Sequence, residues 1–135
     1  MSSGVKASGA RDAYGLCLRL IFDAFRNQGV QVEAMRLIGG GARGRFWNQL
    51  MADIYGVPVQ RLAILEEATS MGAALVGGVG VGLYADFSMG EQMNAVAETL
   101  TPDPAAQAIY AQMLPIFDRA YHALVPVYDQ LAELT

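Results

Sequence analysis

At 135 residues, the chain is long enough for one domain or for part of a larger one. Apolar residues make up 53% and charged residues 16%, which excludes a disordered chain and leaves an apolar surplus suited to contact with another domain or subunit. A net charge of −4 without a basic tract argues against nucleic acid as a partner, while one cysteine (Cys17) and one histidine (His122) exclude an internal disulfide or a zinc cluster and fit a reducing, cytoplasmic compartment.

In chain order, residues 1–10 ("MSSGVKASGA") lack an apolar stretch and read as a flexible leader, not a secretory signal. Residues 11–28 predict a helix. Asp12, Arg19, Asp23 and Arg26 share one stripe, and Tyr14, Cys17, Leu18, Ile21, Phe22 and Phe25 cover much of the rest, a face broad enough for burial on more than one side. Gly29 stands where a helix C-terminal glycine belongs. Residues 32–40 ("VEAMRLIGG") read as a short buried strand running into glycines. A second helix starts at Gly44 or Arg45 and ends at Tyr55, before Gly56. Trp47, Leu50, Met51 and Ile54 form its apolar face, and Arg45, Asn48, Gln49 and Asp53 its polar one.

Residues 57–65 ("VPVQRLAIL") read as a second strand, with Pro58 at its start or limiting its pairing. A third helix is expected over residues 68–81, after Glu66 and Glu67, whose charges suit its dipole. Gly72, Ala73, Ala74, Gly77 and Gly78 would let a neighbouring backbone come close. The uncharged window 68–85 is long enough to raise the question of a membrane span, but five glycines from Gly72 to Gly82 lower its hydrophobicity and helix propensity, so no membrane is expected. Residues 84–100 read as irregular or weakly helical. Thr101 or Asp103 then caps a long C-terminal helix with Pro104 near its first position. Ile109, Met113, Phe117, Tyr121, Leu124, Tyr128 and Leu131 recur at spacings of three and four, while Pro115 and Pro126 fall on the opposite stripe, where they curve the helix without breaking it. This order is α/β, with two strands, too few for a sheet on their own.

The glycines between the first strand and the second helix carry the chemistry. Backbone without side chains can approach a ligand, and the unpaired N–H groups of a helix start favour an anion. Arg43 and Arg45 in that first turn oppose the helix dipole, a cost that a bound phosphate relieves. A tight turn with solvated arginines fits the residues equally well. Gly39, Gly41 and Gly44 also fit G-x-G-x-x-G, but the acidic residue that a dinucleotide site needs about twenty positions on is replaced by Val59, Gln60 and Arg61. A Walker-type loop is absent, since Lys6 is the only lysine.

"LIGGGARGRFWNQLMADIYGVPV" followed by "EEATSMGAALVGGVGVGLY" resembles the C-terminal ATP-binding region of the FGGY carbohydrate kinases, most nearly its xylulokinase-like members. The resemblance runs from about Ala10 to the end. It implies that residues 11–135 are part of an actin/hexokinase-like (ribonuclease H-like) ATPase domain, helix-rich with a small, incomplete sheet. It implies an enzyme that moves the γ-phosphoryl of ATP, with Mg2+ brought by the nucleotide, to a sugar such as xylulose. Gly39, Gly40, Gly41 and Ala42 are then the nucleotide-contacting segment. Arg45 stands where some members contact adenosine through an asparagine. Trp47 is implied to be core, Gly72 a packing glycine, and "SMGAAL" a helix close to the nucleotide. The family's catalytic base lies in its other domain, so no catalytic or metal-binding residue is assigned here, and Asp12, Asp23, Asp53 and Asp86 read as solvated or capping charges. The partners implied are a nucleotide and the remainder of the kinase, and the chain alone is expected to be inactive. A dinucleotide-binding fold and a non-catalytic module pairing with further copies of itself are the alternatives.

Overall fold

The computed structural model describes residues 9–134. Five helices and three strands follow one another: α1 (Ala10–Asn27), β1 (Met35–Leu37), a single 3-10 turn (Gly40–Arg43), α2 (Arg45–Tyr55), β2 (Val59–Leu62), α3 (Ala68–Gly80), α4 (Met89–Met93), β3 (Val96–Leu100) and α5 (Pro104–Ala132). The proposed leader falls almost wholly outside the described residues, and α1 already begins at Ala10.

β1, α2 and β2 form a parallel crossover with Met35 opposite Val59 and Leu37 opposite Arg61. β3 then pairs antiparallel with β2, giving the order β1-β2-β3, with an irregularity between Arg61 and Leu62. The third strand corrects the two-strand expectation. Residues 96–100 ("VAETL") alternate, but Val96 is exposed and only Leu100 is fully buried, so the period-2 signal has almost no apolar contrast. The first two strands are also shorter than their apolar runs, because only three β1 residues find partners on β2.

α2 is the centre of the molecule. Leu50 and Ile54 join Leu16 of α1 with Ala106 and Tyr110 of α5, while Met51, Ala52 and Tyr55 join Phe22 and Val59. Trp47 packs against both groups, which makes it core, as the sequence implied. Gly56 ends α2 in the left-handed conformation (φ 69°) and donates to the Ala52 carbonyl. The polar side of α2 is not solvated as its pattern suggests. Asn48 and Asp53 are buried, because α2 is enclosed by α1, α5 and the sheet. Asp53 Oδ1 accepts from the Asp103 backbone N–H at 2.8 Å, fixing the start of α5. Asp103 is the N-cap there, accepting from the Ala105 N–H, and α5 runs on through Pro115 and Pro126.

Some of the remaining expectations hold and others are corrected. Asp12 is buried and its Oδ1 accepts from the Tyr110 hydroxyl at 3.1 Å, so it is not a solvated charge. Asp23 pairs with Arg19, while Asp86 is exposed and accepts from Ser88, whose side chain first and N–H second hold its carboxyl below the usual range. α1 is covered on one side only: Leu16 and Phe22 are buried, while Tyr14, Cys17, Ile21 and Phe25 are exposed. Among the described residues a Cβ added to Gly72 or Gly77 meets nothing within 4 Å, whereas one on Gly78 meets Tyr84, so the close packing falls at Gly78. Among the described residues no helix is long and apolar enough to cross a membrane.

Candidate functional site

β1 delivers its chain directly into the glycine turn. Gly39 has φ 77° and ψ −173°, a conformation open in practice only to glycine, and its N–H donates to the Leu65 carbonyl at 3.1 Å. The chain then closes one 3-10 turn, with the Ala42 N–H bound to the Gly39 carbonyl and the Gly44 N–H to the Gly41 carbonyl. The first intrahelical bond of α2 runs from the Asn48 N–H to the Gly44 carbonyl at 3.1 Å. The N–H groups of Gly40 and Gly41, and those of Arg45, Phe46 and Trp47 in the first turn of α2, therefore meet no acceptor among the described residues. Gly40 and Gly41 are exposed, with nothing within 4 Å of a Cβ on Gly40 and only Trp47 near one on Gly41. The turn is a concentration of unspent donors on an open surface, the arrangement that binds an anion.

Of the residues named from sequence, Gly39, Gly40, Gly41 and Ala42 are brought together in this turn, with Ala42 buried beneath it. The arginines are not left bare. Arg43 pairs with Glu66, and Arg45 Nε donates to Glu98 Oε1 on β3 at 3.0 Å. Arg61 reaches the other oxygen of Glu98 at 3.4 Å, and these contacts, that of Arg45 foremost, hold the Glu98 carboxyl below the usual range. The strain attributed to first-turn cations is thus met by surface carboxylates, and Arg45 sits against the sheet edge.

Two features of the site escaped the sequence. The Asn48 side chain supports the turn from below: its Nδ2 donates to the Ala42 carbonyl at 2.8 Å, and the residue is 0% exposed. Its place on the polar stripe of α2 hid this, because the stripe's burial depends on the loop folding over it. A cleft of about 180 Å³ also adjoins the turn through Ile38, walled by Leu62, Met71, Gly72, Leu75 and Met93. This brings "SMGAAL" beside the turn, through Met71, Gly72 and Leu75. The one conspicuous polar group in its lining, Asn94, is spent on the Ile64 backbone at 2.9 and 2.7 Å.

Among the described residues no group of three or more His, Cys, Asp or Glu side chains converges to hold a metal ion. No acid ends β2, and the strand that follows it in the sheet is antiparallel, unlike a dinucleotide-binding sheet.

The model of the FGGY family of carbohydrate kinases, C-terminal domain, matches residues 5–81. An autoinducer-2 kinase of Klebsiella pneumoniae is 36% identical over 94 residues, which is 69% of this chain and 18% of that protein. One from Yersinia enterocolitica is 40% identical over 83 residues, 61% of this chain and 16% of that protein. The chain therefore spans less than a fifth of the length of these curated relatives. Among solved structures, a xylulose kinase from Rhodospirillum rubrum superposes with a TM-score of 0.76 at 28% identity, covering 88% of this chain and 24% of that one. A gluconate kinase from Lactobacillus acidophilus shares the fold, with a TM-score of 0.81 at 21% identity over 90% of this chain and 24% of that one.

Proposed function

The chain belongs to the FGGY family of carbohydrate kinases, matching its C-terminal domain, and from that premise we propose that it is the nucleotide-binding part of a kinase that transfers the γ-phosphoryl of ATP to a sugar hydroxyl. The observation that carries the reading is the open turn at the end of β1, where the Gly40 and Gly41 amides have no acceptor among the described residues. Phosphate oxygens would accept from them, aided by the dipole of α2. The apolar cleft beyond Ile38 would take the base of the same nucleotide.

Phosphoryl transfer rests on positioning by several parts at once. In this reading the chain contributes the nucleotide cradle, and among the described residues no metal cage converges. Magnesium would arrive on the nucleotide's phosphates, and the base that activates the sugar hydroxyl would come from the remainder of the kinase. The exposed apolar face of α1 (Tyr14, Ile21, Phe25), together with the groove of about 290 Å³ between α1 and α5, fits contact with that remainder. Xylulose is the acceptor to test first, with gluconate and autoinducer-2, the substrates in the names of its relatives, beside it. A cytoplasmic setting, with its ATP and reduced thiols, suits the single exposed cysteine.

The test is calorimetric titration of the 135-residue chain with ATP and ADP, followed by an ADP-release assay with each sugar. Millimolar or tighter nucleotide binding without sugar-dependent turnover is expected, with turnover appearing when the remaining kinase segments are added. Absence of nucleotide binding, or sugar phosphorylation by the chain alone, would overturn the proposal.

A further inference from the structure

Asn48 is fully buried yet only half satisfied. Its Nδ2 donates to the Ala42 carbonyl at 2.8 Å, while its Oδ1, sealed from solvent, has no hydrogen-bond partner among the described residues. A buried acceptor without a partner destabilises a fold by about as much as one good hydrogen bond stabilises it. For α2 packing alone, an apolar side chain of similar volume would serve as well, as its neighbours Met51 and Ala52 do. What an apolar side chain cannot do is hold the Ala42 carbonyl. That carbonyl belongs to the 3-10 turn which carries the exposed Gly40 and Gly41 amides. The turn's other ties are the exposed Arg43–Glu66 pair and backbone bonds, of which Gly44 N–H to Gly41 carbonyl is long at 3.4 Å. The Asn48 amide is the side-chain tie between the turn and the rigid core helix.

We propose that Asn48 is the positioning residue of the anion-binding turn. It gives up fold stability to fix Ala42, so that the Gly40 and Gly41 amides are set in place before a nucleotide arrives. The inference rests on the nucleotide reading above. Fixing the donors in advance raises affinity by removing the ordering cost from the binding step.

The test uses Asn48→Leu, which removes both the tie and the orphan acceptor at similar volume. Three quantities are measured on the wild-type and variant chains: melting temperature, the backbone amide resonances of Gly40 and Gly41, and ADP affinity by calorimetry. The expected result is a melting temperature close to wild type, because the orphaned Asn48 Oδ1 is exchanged for the freed Ala42 carbonyl, together with displaced Gly40 and Gly41 resonances and ADP affinity reduced about tenfold, the worth of one buried hydrogen bond. Unchanged resonances with unchanged affinity would overturn the proposal, as would an affinity loss that merely follows a lower melting temperature. If wild type itself binds no ADP, the nucleotide reading fails, and the resonances alone decide whether Asn48 sets the turn. Should Asn48→Leu fail to fold, Asn48→Ser, which cannot overpack, is judged on the same readouts.

Discussion

Gly39 and Gly40 are neighbours in one turn, yet the geometry predicts opposite outcomes for the same added methyl group. Gly39 has φ 77° and ψ −173°, and a Cβ there meets nothing within 4 Å, so the penalty of Gly39→Ala is purely conformational. Such a backbone costs a non-glycine residue about 1–3 kcal/mol. Stiffening the unfolded chain returns about 0.4–1 kcal/mol, leaving a net loss of about 1–2 kcal/mol. For a domain of this size, that lowers the melting temperature by roughly 4–8 °C. Gly40 is not among the positive-φ residues, and a Cβ on it also meets nothing, so Gly40→Ala should stay within about 0.5 kcal/mol of wild type. Urea unfolding followed by fluorescence reads both, because the single tryptophan, Trp47, packs against both halves of the core. The midpoint should drop for Gly39→Ala alone, with unchanged slope. Equal midpoints for the two variants would refute the turn geometry on which the site depends.

Tyr55 is buried beside Phe22, with ring centroids 4.9 Å apart, and burial pushes its hydroxyl pKa up to about 12. Its neutral form is the one the fold favours, so its contribution is intact below about pH 10 and is lost as the pH rises from there toward 12. Alkaline unfolding followed by circular dichroism should be shallower in Tyr55→Phe. Burial, with Asp12 beside it, also raises the Tyr110 pKa, and Tyr110→Phe, which removes the 3.1 Å bond to Asp12, should lower stability by about 1–3 kcal/mol in the same urea assay. Because Arg45 is engaged by Glu98 on an exposed edge, Arg45→Ala should weaken ADP binding by less than about fivefold in calorimetry. A larger loss would mean that the arginine leaves Glu98 for the nucleotide.

The sequence made legible what local rules govern. The Asp103 cap, the Gly56 stop and the β1–glycine–α2 order are written in residue types at fixed spacing, and the structure has all three. The family was legible for the same reason, through two long motifs at a fixed separation. Tertiary burial was not. Asp12, Asn48 and Asp53 look like solvent-facing positions until α5 and the glycine turn close over them. β3 was missed because pairing with β2, not any apolar contrast of its own, makes it a strand. The breadth of α1's apolar face was read as burial on more than one side, but the described residues cover only one.

The central claim is that backbone amides of a bare turn hold a nucleotide's phosphates. It is tested most directly by titrating ADP into the isotopically labelled chain and following each backbone amide. The account predicts that Gly40 and Gly41 shift first and furthest, with residues of the Ile38–Met71 cleft next. Shifts concentrated in the groove between α1 and α5, with Gly40 and Gly41 unmoved, would contradict it.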